Sequence, residues 1–357
     1  MRMFVYAGSY TQDDARGIHL CRLDPSTGAL DYLSSAGGAR NPSFLALDPG
    51  NRFLYSVCEV SGEDGAGAIA AFSIDPDSGA LTFLNQASSV GGGPCHLVVD
   101  ASGAFVLAAN YGSGSVCMLP IGDDGSLGEA SDFVQHEGSS INPQRQTAPH
   151  AHSINIDPGN RYAFSPDLGL DKILIYELDL AEGKLTPNPH QPFVQVTPGT
   201  GPRHFTFHPN RKFAYVINEI GNTFTAFAYD ESKGTLEEIH SVSTLPEGYS
   251  ESTHTADLHV SPSGRFLYGS NRGHDSIVIC AIDEGTGELN QVGLESTQGR
   301  NPRNFALDPS GSYLFADNQD TDSVVTFRVD ADSGRLAATG DVVEMPKPVC
   351  LKFASAL

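Results

Sequence analysis

One pattern recurs seven times along the chain. Each copy has an apolar strand opening on Phe or Tyr, a polar turn, a second apolar strand, an acidic turn and a closing Gly-x-Leu. The copies begin at Phe4, Phe53, Phe105, Tyr162, Phe213, Phe266 and Tyr313, so successive starts are 49, 52, 57, 51, 53 and 47 residues apart. A supersecondary unit repeated at this period cannot bury its apolar face alone and must stack on its neighbours, as propeller blades do. A further apolar strand and a tight turn precede the later copies, as in "NPSFLALDPGNR", "GPRHFTFHPNRK" and "NPRNFALDPSGS". These segments have the form of a short hairpin entering the repeat. With a short strand after each Gly-x-Leu, every unit holds four strands.

The fold predicted is therefore all-β: a seven-bladed β-propeller with four antiparallel strands per blade, forming one domain over residues 1–357. The first copy lacks its leading strand, and the last residues, "KPVCLKFASAL", supply one with nothing after it. Pairing the N- and C-terminal strands in one blade would close the ring and remove the open edge of a linear array.

Composition narrows the partners. The formal net charge is −22, which opposes binding to nucleic acid or to an anionic membrane surface. No stretch reaches the roughly 18 apolar residues of a membrane span, and the opening "MRMFVYAGSYTQDD" lacks the apolar core of a secretory signal. The cysteines (Cys21, Cys58, Cys95, Cys117, Cys280 and Cys350) are scattered without a Cys-x-x-Cys pair, so they read as reduced thiols in strands. A cytoplasmic protein is expected, monomeric or weakly dimeric, with a small-molecule ligand.

In a propeller, the start of each inner strand lies beside the end of the second strand, and these places ring one mouth of the central channel. At the end of the second strand stand Tyr10, Glu59, Tyr111, Leu168, Glu219, Arg272 and Gln319. Asparagine often comes just before, as Asn110, Asn218, Asn271 and Asn318. At the start of the inner strand stand Ser43, Cys95, His152, Arg203, Ala256 and Arg303, and His150 and His254 lie two residues before their blade's position.

Strand ends are not core, so copies that agree inside yet differ in polar residues at one mouth mark a site. His152, His150, Arg203, Glu219 and Arg272 are the candidate catalytic residues. Arg303, Tyr111, Asn218, Asn271, Gln319, His254, Asp257 and Glu59 are the candidate substrate contacts. Three arginines in so acidic a chain would form a positive pocket, and guanidinium binds carboxylate or phosphate through paired hydrogen bonds. An anionic substrate follows. His96 and His204, one residue out of phase, are expected to face into their blades. A metal held by His150 and His152 would need His254 or Asp257 as a third ligand, and the spacing matches no standard zinc motif. Neither metal nor cofactor is expected.

The segments "NPSFLALDP", "PHAHSINIDP", "GTGPRHFTFHP", "YVINEIGN", "SNRGHDSI" and "GRNPRNFALDPSG" resemble the lactonase family of seven-bladed propellers over essentially the whole chain. That family includes bacterial 6-phosphogluconolactonases and the fungal carboxy-cis,cis-muconate cyclase. The resemblance implies a catalytic histidine, glutamate and two arginines, which fall on the "PHAH" histidines, Glu219, Arg203 and Arg272. Of the two histidines, His152 shares the repeat position of Arg203. The implied activity is hydrolysis of 6-phosphoglucono-δ-lactone, a step of the pentose phosphate pathway. Its alternatives are cyclisation of a muconate, cleavage of another sugar-acid lactone, and a non-catalytic protein-binding platform.

Overall fold

The computed structural model describes residues 3–11, 16–62 and 65–355. Seven antiparallel sheets stand around a channel, one for each repeat. In the first blade the order from the axis outward is Pro348–Ser355, Met3–Ser9, Ile18–Leu23 and Leu30–Ala36. The two terminal strands pair in register, with Tyr6 opposite Lys352 and Ala7 opposite Leu351. The ring closes as expected, and the closure seals core as well as backbone. Val5, Cys21 and Leu351 of the first blade pack with Phe315 and Val324 of the seventh. Each such large side chain removed from water contributes about 1.5–3 kcal/mol.

The fourth blade departs from the four-strand plan. Its outer position is shared by Lys184–Pro187 and Phe193–Gln195, both paired with Lys172–Asp179. Pro187, Pro189 and Pro192 crowd the junction, and proline has no N–H for a continuous ladder.

The repeat's two signatures, the opening aromatic and the Gly of Gly-x-Leu, turn out to be one interlock between blades. Phe4 of the first blade lies on Gly79 in the outer turn of the second, and Tyr313 of the seventh lies on Gly28 of the first. A Cβ on Gly28 would stand 2.4 Å from the Tyr313 ring. The tyrosine two residues after the aromatic adds a bond to the same turn where it occurs, as in Tyr6 Oη to the Gly79 carbonyl at 2.7 Å and Tyr268 Oη to the Gly334 carbonyl at 2.9 Å.

The inner strands carry the irregularity that builds the site. Pro202 pairs with Asn218 and His204 with Ile217, so Arg203 is an extra residue with no partner across the ladder. Cys95 and Arg303 occupy the same bulge in the third and seventh blades. A shift between Thr255 and Leu258 does the same in the sixth. A bulge bends the strand and re-aims side chains.

Candidate active site

A cavity of about 390 Å³ opens at the channel mouth where the bulges lie. From the inner strands and the segment leading into the fourth come Cys95, His152, His254 and Arg303, and Arg203 lies buried against Glu219. The ends of the second strands supply Tyr10, Glu59, Tyr111, Glu219 and Arg272. Arg145 enters from the loop before the fourth blade.

Glu219 is the centre. It follows the strand Phe213–Asn218, and its N–H donates to the Gly201 carbonyl at 2.7 Å. Its carboxylate is buried and receives Arg203 Nε at 2.9 Å and Arg272 Nη2 at 2.9 Å on one oxygen, and Arg145 Nη2 at 2.6 Å on the other. Burial alone would raise its pKa. The Arg272 and Arg203 guanidinium charges, followed by His152 and Arg145, outweigh that and hold it well below the usual carboxylate range. Glu219 is therefore ionised at neutral pH.

Arg203 is 1 % exposed, a depth that charged side chains reach only when paired. Besides Glu219 it binds the Ala256 carbonyl through Nη1 at 2.5 Å. Burial, then the nearby Arg303 and Arg272 charges, lower its pKa to about 10, so it stays protonated at neutral pH. Arg272 donates to the Thr255 carbonyl at 2.8 Å as well as to Glu219.

The two histidines of "PHAH" separate. His152 is buried against the cavity, with Nε2 3.8 Å from Glu219 Oε2 and Nδ1 3.7 Å from Cys95 Sγ. Burial first, then the Arg203 charge, hold its pKa well below the ordinary histidine value, so the ring is neutral. His150 does not line the cavity. Its ring stacks on Tyr111 with centroids 4.5 Å apart, and its Nδ1 lies 3.0 Å from the Tyr111 carbonyl.

Several residues expected at the mouth lie elsewhere. Asn218 and Asn271 face into their blades. Asn218 Nδ2 donates to the Thr223 and Thr225 hydroxyls, and Asn271 Nδ2 to the Thr244 carbonyl and Ser276 Oγ. They precede Glu219 and Arg272 by one residue, and strand alternation sends them to the opposite side. Gln319 starts a 3₁₀ turn, Gln319–Thr321, and its side-chain amide donates to Asp320 rather than facing the cavity.

Asp257 belongs to a deeper layer of the channel, where its carboxylate meets His204 Nδ1 at 2.7 Å, His259 Nε2 at 2.9 Å and Asn304. His96 and His204 also stand on the channel rather than inside their blades. Their rings are 5.2 Å apart, and His204 is 5.5 Å from His152. The bulge is the reason: with Cys95 or Arg203 added to the strand, the following histidine also turns toward the axis. His254 sits exposed on the cavity rim.

Arg145 escaped the comparison of equivalent positions because it lies outside the repeat. The longest step between copies, 57 residues, marks the insertion that carries it. Among the described residues no group of three or more His, Cys, Asp and Glu side chains is placed to hold a metal ion.

Comparison with known proteins agrees with this architecture. The family described as "Lactonase, 7-bladed beta-propeller" matches residues 4–353. The chain is 39 % identical over 348 residues to a 6-phosphogluconolactonase of Bacillus subtilis, covering 98 % of this chain and 97 % of that protein. It is 37 % identical over 308 residues to a 6-phosphogluconolactonase of Formosa agariphila, covering 85 % and 86 %. The solved periplasmic gluconolactonase of Pseudomonas aeruginosa superposes with a TM-score of 0.94 at 33 % identity, over 100 % of both chains. The chain is a member of the lactonase family of seven-bladed β-propellers.

Proposed function

We propose that the protein hydrolyses a sugar-acid δ-lactone, 6-phosphoglucono-δ-lactone, at this cavity. The observation that carries the reading is the convergence of Arg145, Arg203 and Arg272 on Glu219 beside a neutral His152, in a chain that is otherwise strongly acidic. The names of the Bacillus and Formosa relatives support the same reaction.

Neutral His152 accepts a proton as water attacks the lactone carbonyl. The imidazolium formed is offset by the Glu219 carboxylate 3.8 Å away. Glu219 is a poor base, because three guanidinium donors stabilise its ionised form. Arg203 and Arg272, already aligned by Glu219, present their remaining N–H groups to the oxyanion of the tetrahedral intermediate. Collapse of that intermediate breaks the ring C–O bond, and the departing alkoxide takes the proton from His152. The carboxylic acid so formed gives its remaining proton to water and leaves as the carboxylate. A free δ-lactone already hydrolyses in water, so the site has only a modest barrier to lower.

The cytoplasm is the compartment this substrate implies, and the six cysteines are all free and buried. No helix among the described residues is long and apolar enough to cross a membrane.

The direct test follows acid release from freshly generated 6-phosphoglucono-δ-lactone against the spontaneous rate, with and without EDTA. Acceleration that survives the chelator supports the reading; hydrolysis at the background rate would defeat it.

A further inference from the structure

Three guanidinium groups, Arg145, Arg272 and Arg303, and two carboxylates, Glu59 and Glu219, line the mouth cavity, a surplus of one positive charge, and the buried Arg203 adds a fourth guanidinium against Glu219. Three of the arginines are committed to Glu219. Arg303 is not. Among the described residues its guanidinium makes no hydrogen bond and no ion pair; it lies over the Tyr10 ring, 5.5 Å from the centroid. Tyr10 is itself held, since its hydroxyl donates to both Glu59 oxygens at 2.9 and 3.1 Å, and Ser43 donates to the same carboxylate.

This arrangement differs in kind from the Glu219 cluster. A cation held over an aromatic ring spends none of its N–H donors in hydrogen bonds. A cation–π contact of this kind still contributes about 0.5–2 kcal/mol toward keeping the group in place. Arg303 thus lies in the field of Glu59 and Glu219 without a direct ion pair to either, since Glu59, occupied by Tyr10 and Ser43, does not reach it within ion-pair distance. A phosphate monoester carries a charge of about −1.5 to −2 at neutral pH and offers oxygens spaced for a bidentate guanidinium contact. That matches both the unspent donors and the charge surplus.

We infer that Arg303, held over the Tyr10 ring, is the subsite for a phosphate group on the substrate, and that it sets a preference for a phosphorylated lactone over the same lactone without phosphate. This assignment rests on the lactonase reading above and goes further, because a gluconolactonase shares the fold with a TM-score of 0.94 and fold alone does not decide between the two substrates.

The experiment measures kcat and KM on 6-phosphoglucono-δ-lactone and on glucono-δ-lactone for the wild type, Arg303→Gln and Arg303→Lys. Calorimetric binding of 6-phosphogluconate and gluconate runs in parallel. The wild type should favour the phosphorylated lactone by at least about tenfold in kcat/KM. Arg303→Gln should reduce that preference by about 10- to 100-fold, mainly through KM, as expected for a lost charge-assisted hydrogen-bond pair. Arg303→Lys should restore part of it, since a point charge remains but the planar fork does not. Tyr10→Leu should lower the preference too by removing the ring under the guanidinium, and it guards against misfolding of the Arg303 variants. Equal use of both lactones by the wild type, or a fall in kcat alike on both in Arg303→Gln, overturns the role of Arg303. If the wild type accelerates neither lactone, the lactonase reading fails. Calorimetry then decides the subsite separately: 6-phosphogluconate binding that weakens in Arg303→Gln keeps it, and unchanged binding removes it.

Discussion

Arg203 Nε and Glu219 Oε2 lie 2.9 Å apart, joining the bulge of one inner strand to the end of the strand beside it. The pair is buried and does not stand alone: Arg272 and Arg145 share the same carboxylate. Charged groups at this depth persist only when their hydrogen-bonding capacity is met. The network therefore orients the arginines before any substrate arrives, which is the condition for strong electrostatic stabilisation of an oxyanion.

Arg203→Lys keeps the charge but loses the planar fork, and should lower kcat/KM on the lactone substrate by about 10²- to 10³-fold, the cost of an oxyanion donor. Arg145→Ala, on an exposed loop, should cost less, about tenfold, because one charge-assisted bond to Glu219 is lost while two remain. Steady-state kinetics on both variants, with melting temperatures as a folding control, tests the ranking. An Arg145 variant more damaged than the Arg203 variant contradicts it.

His152 should set the acid limb of the pH profile. Its pKa is held below the ordinary value of about 6.5 by burial and Arg203. A base with a lowered pKa remains unprotonated to lower pH, so kcat/KM should stay level from pH 8 to below 6.5 and fall only under it. His152→Gln should lose activity and that limb together. A limb at or above pH 6.5 in the wild type would show that another group is titrating.

The blade interlock predicts an unequal cost for two similar substitutions. Gly28 and Gly340 both adopt positive φ (81° and 93°), but only at Gly28 would a new Cβ meet a neighbour, the Tyr313 ring. Gly340→Ala should lose about 1–2 kcal/mol for the left-handed backbone. Gly28→Ala should lose that and about 1–3 kcal/mol more from overpacking. Denaturant melts of the two variants measure the difference; equal losses would mean that Tyr313 yields without cost.

Asp317 is a buried carboxyl whose two oxygens have no hydrogen-bond partner among the described residues. Burial, reinforced by Asp257, raises its pKa well above the ordinary range. The same position in other blades holds Val57, Ala109 and Ile217. A carboxyl with a raised folded-state pKa favours folding below its unfolded value, about 3.9, and that contribution is lost as pH rises toward the folded value. Asp317→Val should therefore stabilise the protein, by about 1–3 kcal/mol, with a larger gain at pH 8 than at pH 4. Thermal melts at the two pH values check both sign and trend.

Much of this protein is legible in the residues alone. Seven spaced copies, each too small to bury its own face, require stacking into a closed array, and the unmatched terminal strands show how it closes. Equivalence between copies also leads to one mouth and to His152, Arg203, Glu219, Arg272 and Arg303, because residues at the same place in each unit converge around the axis. The rest depends on tertiary geometry. Strict alternation would turn His204 away from Arg203, and only the bulge at Arg203 lets both reach the channel. Asp257 moves from the mouth to a bond with His204 for a related reason, the shift between Thr255 and Leu258. Arg145 lies in a loop with no periodicity to place it, and its bond to Glu219 exists because the folded ring brings together residues 74 positions apart. Periodic patterns specify which strands form and where they pair. Bulges and loops, which break the pattern, decide where the charged side chains point.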